Sequence, residues 1–99
     1  MVRRVHVVFK THLDIGFTDS AARTVRRYYE QFIPDAVEVA ARLRRRGTSE
    51  RLVWTTGSWL IKRYLDQADG PGRTALEEAI ARGDIRWHGL PFTTHTELM

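Results

Sequence analysis

Apolar and polar residues alternate in distinct blocks along the chain, and each block carries its own period. Val5-His-Val-Val-Phe-Lys-Thr is a short run rich in β-branched residues. It predicts a strand over residues 5–11, largely buried on both faces. Gly16 sits in the turn that follows. From Ser20 onward the period changes. Val25, Tyr29, Phe32, Ala36, Val39, Ala40 and Leu43 recur at helical steps and form one apolar stripe. Pro34 interrupts it, so the pattern predicts either a kink or two helices with Pro34 opening the second. Gly47 is the expected stop. A second strand is predicted over Arg51–Thr56, followed by a helix over Trp59–Gln67. Gly70-Pro71-Gly72 reads as a chain break. Thr74 and Glu77 have capping-box spacing for the next helix. Leu76, Ala79 and Ile80 form its inward face and Gly83 its end. Asp84–Gly89 is the third predicted strand, and Leu90–Met99 reads as a loop.

The order β-α-β-α-β implies parallel strands joined by right-handed helical crossovers. No repeat, low-complexity tract or linker divides the 99 residues, so a single domain over 1–99 is expected. Three parallel strands by themselves leave two bare sheet edges. The expected fold is therefore the opening part of a larger α/β domain.

Composition narrows the class. Hydrophobic residues make up 42% and charged residues 28%, as in a globular chain. With no cysteine, thiolate metal sites and disulfides are excluded. The N-terminal apolar run is interrupted by His6 and ended by Lys10, a poor match to a signal peptide. No segment reaches the roughly 18 apolar residues of a membrane span. A cytoplasmic location with no membrane partner is the default expectation. The net charge of +4 owes much to Arg42, Arg44, Arg45 and Arg46. They read as a solvated helix end in the favourable dipole position. No aromatic residue interleaves them as single-strand nucleic-acid binders require, so no nucleic-acid partner is expected.

Reactive side chains in parallel α/β folds gather beyond the carboxyl ends of strands. Three such ends are visible: Lys10-Thr-His-Leu-Asp-Ile-Gly-Phe, Trp54-Thr-Thr-Gly-Ser-Trp, and Trp87-His-Gly-Leu-Pro-Phe-Thr-Thr-His-Thr-Glu. His12 and Asp14 are spaced two apart, and on extended backbone both point to one side. An imidazole nitrogen and a carboxylate oxygen suit zinc, but two ligands are fewer than a catalytic site needs. The alternative is a hydrogen-bonded His–Asp pair in a loop. His6 is expected to be a satisfied core histidine. Lys10 either reaches the site or pairs with Asp14. His88 is expected to pack in the core with a hydrogen bond. His95 and Glu97, among Thr93, Thr94 and Thr96, form either a sugar-contacting loop or an exposed one. Trp54, Trp59 and Trp87 read mostly as core. Trp59 is the one best placed to face a ligand. Tyr28 and Tyr29 read as helix-face packing.

The motif His12-Leu-Asp-Ile-Gly-Phe resembles the His-Asn-Asp-Pro-Gly-Trp that opens family 38 of the glycoside hydrolases, the α-mannosidase family and its uncharacterised bacterial relatives. The second strand end, Trp54-Thr-Thr-Gly-Ser, is similar to that family's Trp-x-Glu-x-Ser, with Thr56 in the glutamate's place. The third runs from Gly83-Asp-Ile through Phe92 to Thr96-Glu97, where the family has an aromatic followed by Asp-Glu. The resemblance extends nearly end to end. It implies a β-α-β-α-β start of a parallel (β/α) barrel, zinc as cofactor with His12 and Asp14 among its ligands, and a carbohydrate substrate of the mannose type. It also implies a sugar platform at Phe17, where phenylalanine replaces the usual tryptophan. Trp59, His95 and Glu97 complete the expected substrate-binding set. Zinc there would grip vicinal hydroxyls and favour an oxocarbenium-like transition state. The family's nucleophile, acid/base and further zinc ligands lie beyond residue 99, so these residues alone are expected to be inactive. Two other classes fit less of the pattern. They are another metal-dependent barrel hydrolase, such as a polysaccharide deacetylase or amidohydrolase, and a non-catalytic basic binding module.

Overall fold

The computed structural model describes residues 1–13 and 19–89. Three strands, β1 (Phe9–Lys10), β2 (Trp54–Gly57) and β3 (Ile85–His88), form one parallel sheet in the order β1-β2-β3. The helices are α1 (Ala21–Arg27), α2 (Ile33–Arg45), α3 (Ser58–Gln67) and α4 (Gly70–Arg82). The α/β class and the parallel pairing are as expected. Spatial order follows chain order, so each right-handed crossover lays its helices on the same side of the sheet.

Alternation along the strands assigns the two faces. Trp54 pairs with Ile85, and both join Tyr28, Ile33, Leu60, Ile61, Leu76 and Ala79 in the core. That face is the helix-covered one. Each fully buried Leu or Ile there contributes about 1.5–3 kcal/mol. Residues of opposite parity, Lys10, Thr55, Arg86, Gly57 and His88, belong to the other face.

The first strand is much shorter than expected. Residues 1–8 have no regular pairing, and Val5, Val7 and Val8 are exposed, as is Phe9 at 56%. β1 is an edge strand, and among the described residues nothing pairs its outer side, so burial on both faces is not achieved. His6 is likewise exposed rather than in the core.

Pro34 does open a second helix, at α2's first turn. It is preceded by a π turn, Tyr28–Phe32, in which the Ile33 N–H reaches back to Tyr28 O. Proline has no N–H to donate, and its ring would crowd the carbonyl four residues earlier. A widened turn relieves that crowding while the helix continues.

The expected capping box at Thr74 is not formed. α4 starts at Gly70, and the Asp69 carboxylate accepts from Gly72 N–H at 2.9 Å. Pro71 lies in the first turn, where its missing donor costs nothing. Glu77 instead accepts from Arg73 Nε at 2.9 Å. Gly70-Pro71-Gly72 is thus a helix start rather than a break.

The end of α4 is the tightest junction in the fold. Gly83 takes φ 86°. Its N–H donates to Ile80 O, and Asp84 N–H donates to Ala79 O, the paired bonds of a Schellman stop. Asp84 O then accepts from Trp54 N–H at 2.8 Å, which starts the β2–β3 ladder. The Asp84 side chain is fully buried. Its carboxylate accepts from Arg44 Nε at 2.7 Å and from Arg82 Nε at 3.1 Å, and Arg44 Nη2 donates to Arg82 O at 2.9 Å. Arg44 is therefore a clasp between α2 and α4 rather than part of a solvated cluster.

Removing Arg44 leaves the buried Asp84 carboxylate with Arg82 as its remaining guanidinium partner. Arg44→Ala should lower the unfolding free energy by about 2 kcal/mol, as read by urea denaturation. Arg44→Lys should recover only part of this, since an ammonium cannot reproduce the guanidinium fork. A cost below about 0.5 kcal/mol for the alanine variant, the usual range for an exposed side chain, would refute the clasp.

Candidate functional site

Three strand carboxyl ends stand side by side at one rim of the sheet. β1 ends at Lys10, and Thr11 N–H extends its pairing by donating to Thr55 O at 3.0 Å. His12 follows and is exposed. β2 ends at Gly57, where α3 begins directly, and β3 ends at His88.

The backbone at His12 is held from the helix layer. Tyr28 is buried, and its hydroxyl donates to His12 O at 2.9 Å. The Tyr28 ring meets Phe32 edge-on, with centroids 5.0 Å apart. Tyr28 opens the π turn beside Pro34, so the proline that reshapes the helix neighbours the residue that anchors the end of β1. The expectation of simple helix-face packing for Tyr28 left out this hydrogen bond. Nothing in the local pattern signals it, because its partner is a backbone carbonyl 16 positions away.

Register arranges the face opposite the core in rows. Lys10 pairs with Thr55 and Thr55 with Arg86, which makes one row. Gly57 pairs with His88 in the next. β1's ladder ends at Lys10, so His12, two residues on, is in neither row. The Arg86 guanidinium turns back over Gly83, where an added Cβ would lie 2.9 Å from Nη2. It therefore sits at the C-terminal end of α4, a favourable place for a cation.

Four buried side-chain polar atoms among the described residues have no hydrogen-bond partner: Thr11 Oγ1, Thr56 Oγ1, His88 Nε2 and Tyr29 Oη. Three of them lie at the strand ends. His88 is part-buried without the Nε2 hydrogen bond expected of a satisfied core histidine. Thr56, which stands where the family pattern has glutamate, is fully buried and shares Trp54's parity. It therefore lies on the helix-covered side rather than on the face of Thr55 and Gly57.

The tryptophans divide three ways. Trp54 is core, Trp59 is part-buried, and Trp87 is 49% exposed on the edge strand rather than core. Trp59 lines a groove of about 490 Å³ with Ala21, Val25, Arg26, Tyr29 and Gln67. Arg63 lies over its ring at 6.0 Å. His12 is not among the walls of this groove, so Trp59 and His12 do not line one cavity. Lys10 is exposed. Asp14, Phe17, His95 and Glu97 lie outside the described residues. Among the described residues, no group of three or more His, Asp or Glu side chains is arranged to hold a metal. No helix among them is long and apolar enough to cross a membrane.

Burial raises the Tyr29 phenol above its ordinary pKa, against an opposing pull from Arg63. Burial also raises Tyr64, and the negative charge of Asp69 adds to the effect. Their rings meet edge-on at 6.0 Å.

Comparison with protein-family models, with curated proteins and with solved structures yields no match for this chain.

Tyr28→Phe removes the hydroxyl that holds His12 O. It should cost about 1 kcal/mol and speed amide exchange at residues 11–13, measured by hydrogen–deuterium exchange. Unchanged exchange there would show that the bond does not anchor the strand end. The tyrosine pair sets an alkaline limit. A raised folded pKa means that the folded chain holds the phenolic proton more tightly than the unfolded one. The resulting stability is full below the unfolded value of about 10 and is lost as pH rises through the folded values. Urea melts at pH 9 and 11 should show this fall, and it should be smaller in a Tyr29→Phe, Tyr64→Phe double variant. An equal fall in the variant would exclude the pair as its source.

Proposed function

We propose that this chain is the opening segment of a zinc-dependent glycoside hydrolase of the family 38 type. In this reading, β1–β3 are the first three strands of a parallel (β/α) barrel that acts on mannose-type sugars. The observation that carries it is the position of His12. The leading residue of the family-like motif stands immediately past the carboxyl end of the first strand in a sequentially ordered parallel sheet. Barrel enzymes place their reactive groups at that end. Sequential order also favours the barrel over a doubly wound sheet, in which the strand order reverses.

The donor set fits zinc in kind: an imidazole from His12 and the carboxylate of Asp14 two residues on. When bound, zinc supplies Lewis-acid contact to vicinal sugar hydroxyls. His12 would hold it, with its backbone fixed by Tyr28. The sheet face opposite the core, bearing Lys10 and Thr55, would become the lining of the barrel once further strands close it. The exposed Val5, Val7, Val8 and Phe9 support this reading, because they form an apolar edge suited to a neighbouring strand.

The zinc content of the purified 99-residue chain tests the reading. Because the chain carries only part of the ligand set, equilibrium dialysis at rising Zn2+ should show weak binding of one ion by the wild type and weaker binding still by His12→Ala. Equal retention by the two proteins would dismiss the reading.

A further inference from the structure

We infer that the groove between α1 and α3 binds a small aromatic carboxylate, with its ring against Trp59 and its carboxylate on Arg63. The groove lies in the helix layer, and His12 is not among its walls. The inference therefore stands apart from the zinc reading.

Spacing along two helices builds the walls. On α3, Trp59, Arg63 and Gln67 follow one another at four-residue steps and form one stripe. On the other wall, Ala21, Ala22 and Val25 of α1 and Tyr29 of the π turn recur along one side of their own helix. The two stripes do not close on each other. α1 has no buried residue, and about 490 Å³ stays open between the walls. Ala21 and Ala22 contribute only methyl groups, which leaves that room beside the Trp59 ring. A volume of roughly 300–1,000 Å³ with a chiefly apolar wall and a few polar groups suits a small ligand.

Charge around the groove selects the ligand. Arg26 pairs with Glu30 at 3.9 Å, and Lys62 pairs with Asp66 at 2.6 Å. Arg63 is exposed, lies over the Trp59 ring at 6.0 Å, and has no ion-pair partner among the described residues. Burial raises the Tyr29 phenol and Arg63 pulls against it, so the guanidinium stands near that wall as well. One uncompensated cation beside an apolar groove calls for a monoanion with an apolar body. A guanidinium takes a carboxylate in a two-point fork. A planar ring carried by that carboxylate finds a stacking surface in Trp59. The Gln67 amide, exposed one turn beyond Arg63, is a further donor to it. The Tyr29 hydroxyl is buried, so Tyr29 contributes its ring to the wall rather than a hydrogen bond. A polyhydroxylated ligand would leave most of its hydroxyls against alanine and valine, which is costly. That sets this groove apart from a sugar subsite.

The test titrates the 99-residue chain with 2-naphthoate and follows the tryptophan indole N–H resonances by NMR. The Kd should be about 0.1–1 mM. The Trp59 resonance should move while those of Trp54 and Trp87 stay in place. 2-Naphthylmethanol, similar in shape and uncharged, should bind about fivefold more weakly, and 2-naphthylmethylammonium more weakly still. Arg63→Gln should abolish the preference for the carboxylate over the alcohol. Arg63 is exposed, so this variant keeps the fold. Trp59→Ala should weaken all three probes roughly tenfold. Arg73→Gln, an exposed change on α4, should alter none of them. Equal affinity for the three probes, or a carboxylate preference that survives Arg63→Gln, would overturn the inference. A titration that moves Trp87 instead of Trp59, or no shift up to about 10 mM, would do the same. Zinc binding through His12 is measured separately and is untouched by any of these outcomes.

Discussion

The Asp84 carboxylate is the point on which the fold turns. It is fully buried, yet it reconciles three elements that would otherwise conflict. Arg44 brings the C-terminal end of α2, Arg82 that of α4, and the aspartate's own backbone begins β3. Two cations at two helix ends are favourable neighbours for the helix dipoles, but together they would repel. A buried carboxylate between them removes the repulsion, and its own burial is tolerable only because both guanidiniums are present. The same residue closes the Schellman stop and offers its carbonyl to Trp54, so helix end, ion pair and sheet register are fixed at one position.

That junction stands at the amino end of the sheet, and its consequence appears at the carboxyl end. With Trp54 set against Ile85, the register of β2 on β3 is determined through to Gly57 and His88. A shift by one residue would carry Trp54 and Ile85 out of the core and turn His88 onto the helix-covered side. The placing of His88 beside Gly57 therefore depends on packing at the far end of the strands. The second restraint comes from the helix layer, where Tyr28 reaches across to His12 O. The strand end is held at the backbone and the imidazole stays at the surface.

The two faces of the sheet divide the labour. One packs Ile33, Leu60, Leu76 and Ala79 against Trp54 and Ile85. The other carries Lys10, Thr55, Gly57 and His88, of which Lys10 is exposed and Gly57 is buried. Sequential strand order produces this one-sidedness, because right-handed crossovers that all step in one direction return to the same face.

The sequence alone determined the alternation of strand and helix, the parallel sheet, an interruption of the helix at Pro34 and the stop at Gly83. Each follows from local periodicity or from one residue's backbone preference. It also singled out His12, because a two-residue spacing at a strand end is a local feature. Only the tertiary structure decided the rest. Arg44 read as one of several solvated arginines, because its partner is 40 residues away. The capping box at Thr74 gave way to Asp69 because Gly70 and Pro71 fit a first helical turn. Val5, Val7 and Val8 have the composition of a buried strand, but burial depends on what lies alongside, and among the described residues nothing covers them. Register is likewise a relation between strands. No pattern within β2 or β3 reveals that Gly57 stands beside His88, because that register is set by where Trp54 packs.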